Sequence, residues 1–459
     1  MRYGYDALNR ICDIRYGNGV KTAYTYDGGG NVRTLETRAG ENVLLSFAYR
    51  YDGNGNRTAK AGVTLGGITS EITAGNNALD LSYAYDVRGQ LLEERRNGAS
   101  VCYAYDKAGN RIRKTDAQGE TRYLYNEKNQ LTAEESPADR KQFSYDHQGG
   151  IIEEKNSAGI RLFSYNSRHQ QTRVETETGN VQENRYDAEG LRFELLENGR
   201  RTSFVYHNGE LLHEEGREEQ EISYHLGAGI EAFRRGQELS YYHRDEQLST
   251  ALVTDGHRNV QNSYQYDAFG ISLETTEQLN NRIRYTGQQY DELTEQYYLR
   301  ARYYNPVAGR FMQEDVYQGD GLNLYAYCGN NPVVYDDPSG YASTSIGKAC
   351  PPQGKISESV DESGTGTKDI YRAVSPEEFD DIFATGGFRA RPDGRSFQAK
   401  EFGNSFDETL EFANKPINLD KAAIVKVTIP ENVYNQLHHM NLDRAIFKSG
   451  TPVVEPEML

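Results

Sequence analysis

At 459 residues the chain is long enough for two or more domains. Its formal net charge of -17 excludes the dense Lys/Arg surface of a nucleic-acid backbone binder, and no stretch approaches the ~20 apolar residues of a membrane helix. With 36% apolar, 26% charged and 11% aromatic residues (35 Tyr, 16 Phe, no Trp), the chain is too aromatic for simple disorder. It reads as a mainly β protein whose tyrosines lie on a thin sheet wetted on both faces.

No charged-then-apolar leader precedes the first repeat at Tyr3, so export is expected through another system or a larger N-terminal part. Cys12, Cys102, Cys328 and Cys350 have neither metal-like nor disulfide-like spacing, so free thiols and no metal site are expected. From Tyr24 onward a unit recurs: aromatic-x-Tyr-Asp-x-x-Gly-Asn/Gln. Copies stand at Tyr24-x-Tyr26-Asp27, Tyr49-x-Tyr51-Asp52, Tyr83-x-Tyr85-Asp86, Tyr103-x-Tyr105-Asp106 and Phe143-x-Tyr145-Asp146. Degenerate copies follow at Tyr123-x-Tyr125-Asn126, Phe163-x-Tyr165-Asn166 and Tyr186-Asp187. Asp86, Asp106, Asn126, Asp146 and Asn166 are spaced 20 residues apart. The alternating aromatics share one face of a strand. Asp-x-x-Gly then closes a tight turn, in which Asp caps its own backbone and Gly supplies positive φ. Each unit therefore predicts one β-hairpin stabilised by its neighbours, and its Asp is a turn former rather than a catalyst.

The repeats resemble the Rhs/YD-repeat family. So does the run Tyr285-Thr-Gly-Gln-Gln-Tyr-Asp-Glu with Tyr297-Tyr-Leu-Arg-Ala-Arg-Tyr-Tyr-Asn-Pro-Val-Ala-Gly-Arg-Phe311, which is similar to the Rhs-associated core. Gly321-Leu-Asn-Leu-Tyr-Ala-Tyr-Cys-Gly-Asn-Asn-Pro332 and Asp337-Pro-Ser-Gly-Tyr341 extend that likeness. The resemblance implies a spiralling β-hairpin shell over residues 1–275, a core plug at 276–341, a linker at 342–369 and a small α+β toxin domain at 370–459. It also implies a polymorphic toxin of interbacterial competition, secreted or delivered at the cell surface, acting in the target-cell cytoplasm. Implied partners are a cognate immunity protein, a secretion machinery or N-terminal delivery module, and a target-cell macromolecule.

In that family the core often cuts itself with aspartic-type chemistry, in which two carboxylates share a proton. The candidates are Asp337 with Asp315 or Asp320 as partner, the cut following Tyr341. This chain has Asp315-Val316 where the family has Asp-Pro, and Tyr341 where it has Leu. The bland alternative makes Asp337-Pro338 and Asp320-Gly321 ordinary turns.

Beyond Tyr341, Ser375-Pro-Glu-Glu378 and Ser405-x-x-Glu408 are capping boxes of two expected helices. Ala422 to Ile429 reads as a strand and Glu431 to Met440 as helical. The order resembles ADP-ribosyltransferase-like toxins, carried by Tyr371-Arg372, Phe402-x-x-Ser405 and Glu455-Pro-Glu457. The resemblance implies NAD as cofactor, with Arg372 gripping it, Phe402 and Ser405 bracing the site, and Glu455 orienting the acceptor. Glu457 would stabilise the positive charge that develops on the ribose. The alternatives are a nuclease using His438, His439 and Lys448, or an inactive shell remnant acting as a surface protein. From 342 to 459 there are 13 Lys and Arg against 18 Asp and Glu, a balance that speaks against the nuclease.

Overall fold

The computed structural model describes residues 1–65, 76–216, 221–316 and 321–345, together with five strands between 367 and 454. The chain divides into two compact units, Met1–Lys355 and Ile356–Leu459. The first is dominated by one 26-stranded sheet, from β1 (Arg2–Tyr5) to β26 (Ser272–Glu277). Strand after strand pairs antiparallel with its neighbour in the chain.

One hairpin explains the others. In β9 (Ala99–Tyr105) and β10 (Arg111–Asp116), Tyr105 pairs with Arg111 and Ala104 with Arg113, leaving Ile112 as an extra residue. Asp106 closes the turn: its Oδ1 accepts the amides of Ala108 (2.9 Å) and Asn110 (2.8 Å), and Gly109 takes φ +79°. The turn residues do what their chemistry predicts. The bulge follows because five residues bound by the aspartate leave one more residue on the outgoing strand than the incoming strand can pair. The same slip follows the turns at Asp27, Asp52, Asp86, Asp146, Asn166 and Asp187.

The bulge interrupts the ladder beside a carbonyl, and the next repeat supplies its donor. Tyr125 OH donates to Arg111 O (2.9 Å), Tyr105 OH to Leu91 O (2.9 Å), Tyr145 OH to Leu131 O (3.1 Å) and Tyr165 OH to Ile151 O (2.9 Å). Tyr26, Tyr51, Tyr85, Tyr186 and Tyr266 do the same to Ile11, Val32, Arg57, Gln171 and Thr250. The second tyrosine of each unit is thus a staple into the previous one, which is why a half-buried ring must carry a hydroxyl.

The first aromatic of most units is buried outright, as at Tyr49, Tyr83, Tyr103, Tyr123 and Phe163, whereas Tyr24 and Phe143 are half-buried against the same clusters. This corrects the expected thin, doubly wetted sheet. One face packs: the N-terminal hairpins lie against strands near the C-terminal end of the array, sharing a cluster that includes Leu35, Leu45, Phe47, Tyr83, Tyr241 and Leu252. Asn18 Nδ2 donates to Thr254 Oγ1 (3.0 Å) across this seam. Arg57 meets Glu246 at 2.5 Å, and Lys60 meets Asp245 and Glu246 at 3.1 Å each. A spiral brings its beginning over its end, so the aromatic face finds a partner that no single strand's periodicity reveals.

Glu94 joins the same seam, accepting the amide of Ala268 at 2.8 Å. Burial, reinforced by the charge of Asp267, pushes its carboxyl up to about 7. Cys12 and Cys102 carry free thiols.

In the second unit the described residues form two sets of paired strands. β33 (Thr367–Val374) pairs antiparallel with β35 (Ala423–Pro430). β34 (Lys400–Glu401) and β36 (His438–Met440) flank β37 (Thr451–Val454). Arg372 therefore stands on a strand, as does the 423–429 segment, in agreement with the sequence. Two expectations are corrected. β33 starts inside the stretch 342–369 expected as linker, because Thr367, Lys368 and Asp369 pair with Pro430, Ile429 and Thr428. His438–Met440 is a strand rather than the end of a helix, paired with Thr451–Val453. The helices expected at Ser375 and Ser405 lie outside the described residues.

Two outcomes are expected. Tyr105→Phe keeps the ring but orphans the Leu91 carbonyl, at a cost of about 1–3 kcal/mol, read as a lower denaturation midpoint in urea. Glu94 has a raised pKa in the fold, so its contribution is fully present below its ordinary carboxyl range and is lost as pH rises through about 7. Glu94→Gln should therefore flatten the fall in stability between pH 4.5 and about pH 7, measured by the same titration.

Candidate functional site

The segment after β26 turns inward and fills the space ringed by the hairpin turns. It holds four short strands, β27 (Gln289–Asp291), β28 (Gln296–Leu299), β29 (Arg302–Asn305) and β30 (Arg310–Phe311), paired in that order. Their residues are aromatic on both faces, and Tyr297, Tyr298, Tyr303, Tyr304, Phe311 and Tyr327 are essentially inaccessible to water. A strand without an exposed face needs apolar bodies on both sides. Tyrosine supplies these together with a hydroxyl that reaches outward. Tyr285, Tyr304 and Tyr297 donate to the successive carbonyls of Ala268 (2.9 Å), Phe269 (2.7 Å) and Gly270 (3.1 Å), fastening the plug to one turn of the array.

Other hairpin turns grip it from around the rim. Asn330 Nδ2 donates to Gly109 O (2.8 Å), and Arg310 Nη2 donates to Asn129 O (2.6 Å). Gly149 shows why the repeat's glycine is needed there. At φ +83°, an added Cβ would meet Tyr325 OH at 2.6 Å and the Glu314 carboxyl closer still.

Two ionic knots hold the plug. Arg192, on β18 (Arg192–Glu197) of the array, pairs with Asp291 of the plug, both with 0% side-chain exposure. Asp291 Oδ1 lies 3.0 Å from Arg192 Nη2, and Gln182 Nε2 donates to Oδ2 at 2.9 Å. The ring of Tyr298 lies 4.5 Å from the guanidinium carbon. Burial opposes the charge on Arg192, and the Asp291 carboxylate outweighs it, so the guanidinium's pKa is raised.

The second knot contains two of the expected site residues. Arg302 Nη2 lies 2.7 Å from Asp315 Oδ2 and 3.4 Å from Asp337 Oδ2. All three residues are buried. Arg302 Nη1 donates to Leu324 O (3.0 Å), Nε donates to Gly340 O, and the guanidinium covers the Phe311 ring at 3.5 Å. Asp337 Oδ1 accepts the amides of Gly340 (2.8 Å) and Tyr341 (3.2 Å) and the Ser339 hydroxyl (3.2 Å). The Asp337-Pro-Ser-Gly turn of the sequence reading therefore exists. Gly340, at φ +73°, admits no Cβ because Leu299 O would stand 2.5 Å away. The same carboxylate is brought beside Asp315, on one common cation.

Asp320, Phe402, Ser405, Lys448, Glu455 and Glu457 lie outside the described residues. Arg372 is placed on β33 by its backbone. Sequence reasoning missed Arg302, although a signal was there: a cation inside an unbroken aromatic run has to find a buried anion. It also missed Asp336. Burial, with the neighbouring charge of Asp337, pushes that carboxyl up to about 6, while the Thr344 hydroxyl at 2.6 Å works against the rise. Among the described residues, no helix is long and apolar enough to cross a membrane.

Asp291→Ala should cost about 3–5 kcal/mol, since it strands a buried guanidinium. Arg192→Met with Asp291→Leu should recover most of that loss, as measured by the unfolding midpoints of the two variants.

The description of the teneurin YD-shell family matches residues 64–333. The tRNA3(Ser)-specific nuclease WapA of Bacillus spizizenii is 29% identical over 367 residues, covering 73% of this chain and 12% of its own. The double-stranded DNA deaminase toxin A of Burkholderia cenocepacia is 26% identical over 380 residues, 74% of this chain and 22% of its own. The chain thus spans a small part of the curated relatives it matches. Among solved structures, TcdB2-TccC3-Cdc42 shares the fold, with a TM-score of 0.62 at 20% identity, over 74% of this chain and 19% of that one. A stapled hairpin array closed on an aromatic plug, matched over more than half of the residues, places this chain in the teneurin YD-shell family.

Proposed function

We propose that the chain is the shell-and-plug portion of a polymorphic toxin of interbacterial competition, with its effector in the unit Ile356–Leu459. The observation that carries this reading is the knot at Arg302. It fixes the last turn of the plug, Asp337-Pro-Ser-Gly-Tyr341, immediately before the chain leaves for the second unit. Relatives with similar repeat regions bear the names of different chemistries, a tRNA nuclease and a DNA deaminase. A shell that serves many cargoes is the economical explanation, and its partners are an immunity protein and a delivery apparatus.

Release of the effector proceeds by self-cleavage. Asp337 and Asp315 activate a water that attacks the Tyr341 carbonyl. The C–N bond to Ala342 breaks, the amine takes the proton, and Tyr341 is left as a carboxylate. Support comes from the two carboxylates sharing Arg302, and from the Tyr341 amide resting on Asp337.

For the effector, mono-ADP-ribosyl transfer from NAD remains the leading chemistry. Arg372 lies on the first described strand of the unit, Phe402 and Ser405 follow β34 in the sequence and Glu455 and Glu457 follow β37, and β34 and β37 are neighbours. Arg372 would hold NAD, Ser405 and Phe402 would brace it, Glu455 would orient the acceptor and Glu457 would stabilise the cleaving ribose. Nuclease activity is the second reading, favoured by the names of the WapA relatives.

Full-length protein, wild type and Glu457→Ala, incubated with labelled NAD and cell lysate, tests the transferase. Label transferred only by wild type is expected. Toxicity without transfer, accompanied by RNA loss, moves the assignment to the nuclease. In the same preparations, wild type should yield a fragment beginning at Ala342 by mass spectrometry, and Asp337→Asn should stay whole.

A further inference from the structure

The residues beyond the cut do not simply leave the plug. β31 (Tyr335–Asp336) pairs antiparallel with β32 (Thr344–Ser345), Tyr335 opposite Ser345 and Asp336 opposite Thr344. The expected scissile bond, Tyr341–Ala342, therefore lies in the loop of a small hairpin whose two legs flank it. Thr344 Oγ1 donates to Asp336 Oδ1 at 2.6 Å, a side-chain bond added to the backbone pairing. Tyr341, at the loop, is 44% exposed, whereas Asp336 at the hinge is 6% exposed.

We propose that β31 and β32 form a clamp that keeps the segment starting at Ala342 docked on the plug after the loop is cut, so that cutting and release are separate events. The proposal takes its cut position from the self-cleavage reading, but the clamp itself rests on the pairing of Asp336 with Thr344. The occupant of the plug's surface is this chain's own segment.

The chemistry of the hinge makes the clamp sensitive to pH. Asp336 faces Thr344 across the hairpin and stands next to Asp337, whose own cation, Arg302, is shared with Asp315. The Tyr327 hydroxyl also feels its charge. Burial and the Asp337 charge raise the Asp336 carboxyl to about 6 in the closed hairpin. Opening exposes it and returns it toward the ordinary aspartate range. The closed form thus binds the proton more tightly. Its advantage is complete below that ordinary range and is lost as pH rises through about 6. A displacement of about two pKa units sets a ceiling of roughly 100-fold on the effect.

The test uses the full chain cut in the loop, by itself or through an endoprotease sequence inserted after Tyr341. The readout is hydrogen exchange of the Thr344 and Ser345 amides, corrected for the intrinsic pH dependence of exchange. This reads the clamp even if the fragment stays enclosed. In wild type, protection should be lost at least about tenfold faster at pH 7.5 than at pH 5. Asp336→Asn, which keeps an acceptor without the charge, should hold equally at both pH values. Thr344→Val should open about tenfold faster at both, and Thr344→Ser should restore the wild-type rate. Equal wild-type opening at both pH values, a wild-type pH response in Asp336→Asn, or unchanged protection in Thr344→Val overturns the clamp. Failure of the unmodified chain to cut itself would instead sink the self-cleavage reading and leave this test intact.

Discussion

Everything in the first unit depends on one hydrogen bond, the tyrosine hydroxyl that donates to the carbonyl beside the previous hairpin's bulge. The aspartate-capped turn forces the bulge, and the bulge frees the carbonyl. The next tyrosine then satisfies it, so each hairpin completes its predecessor. A buried carbonyl left alone would cost more than an ordinary hydrogen bond contributes. The repeat is therefore cooperative in one direction along the chain, and a sheet of low apolar content still holds together.

The plug uses the same device at higher density. Its tyrosines send three hydroxyls to three consecutive carbonyls of one turn, while Asn330 and Arg310 reach other turns. Array and plug are thus joined mainly by donors from side chains to backbone, a mode that tolerates variation in the turn residues. The two charged knots are different in kind. Arg192 with Asp291 and Arg302 with Asp315 and Asp337 are buried pairs, which contribute little net stability against apolar substitutes but fix register. Register is what a segment that ends at a defined turn requires.

The sequence made the hairpins legible because their signals are local: alternation, a turn-forming aspartate and a glycine, all within ten residues. Tyr105, Asp106 and Gly109 behave as read. The packing of the aromatic face was not legible, since Leu45 and Leu252 share one cluster although more than two hundred residues separate them. At the candidate site, Asp337 and Asp315 were found through a motif. Arg302, which unites them, and Asp336, which faces Thr344, depend on how strands of two to four residues pair, and no periodicity announces strands that short. At His438–Met440, the end of the expected helix, pairing with Thr451–Val453 outweighs local helix propensity.

Because each tyrosine must meet the carbonyl of the hairpin before it, the array's length is quantised. Gain or loss of one whole twenty-residue unit leaves every remaining donor in phase with an acceptor. A slip of a single residue turns the ring to the other face and strands both partners. Unequal recombination between repeats would preserve the staple, and point insertions within strands would not. Shells of this construction can therefore grow or shrink in evolution by whole courses, as brickwork does, and each course gained or lost carries its own turn to the rim that the plug meets.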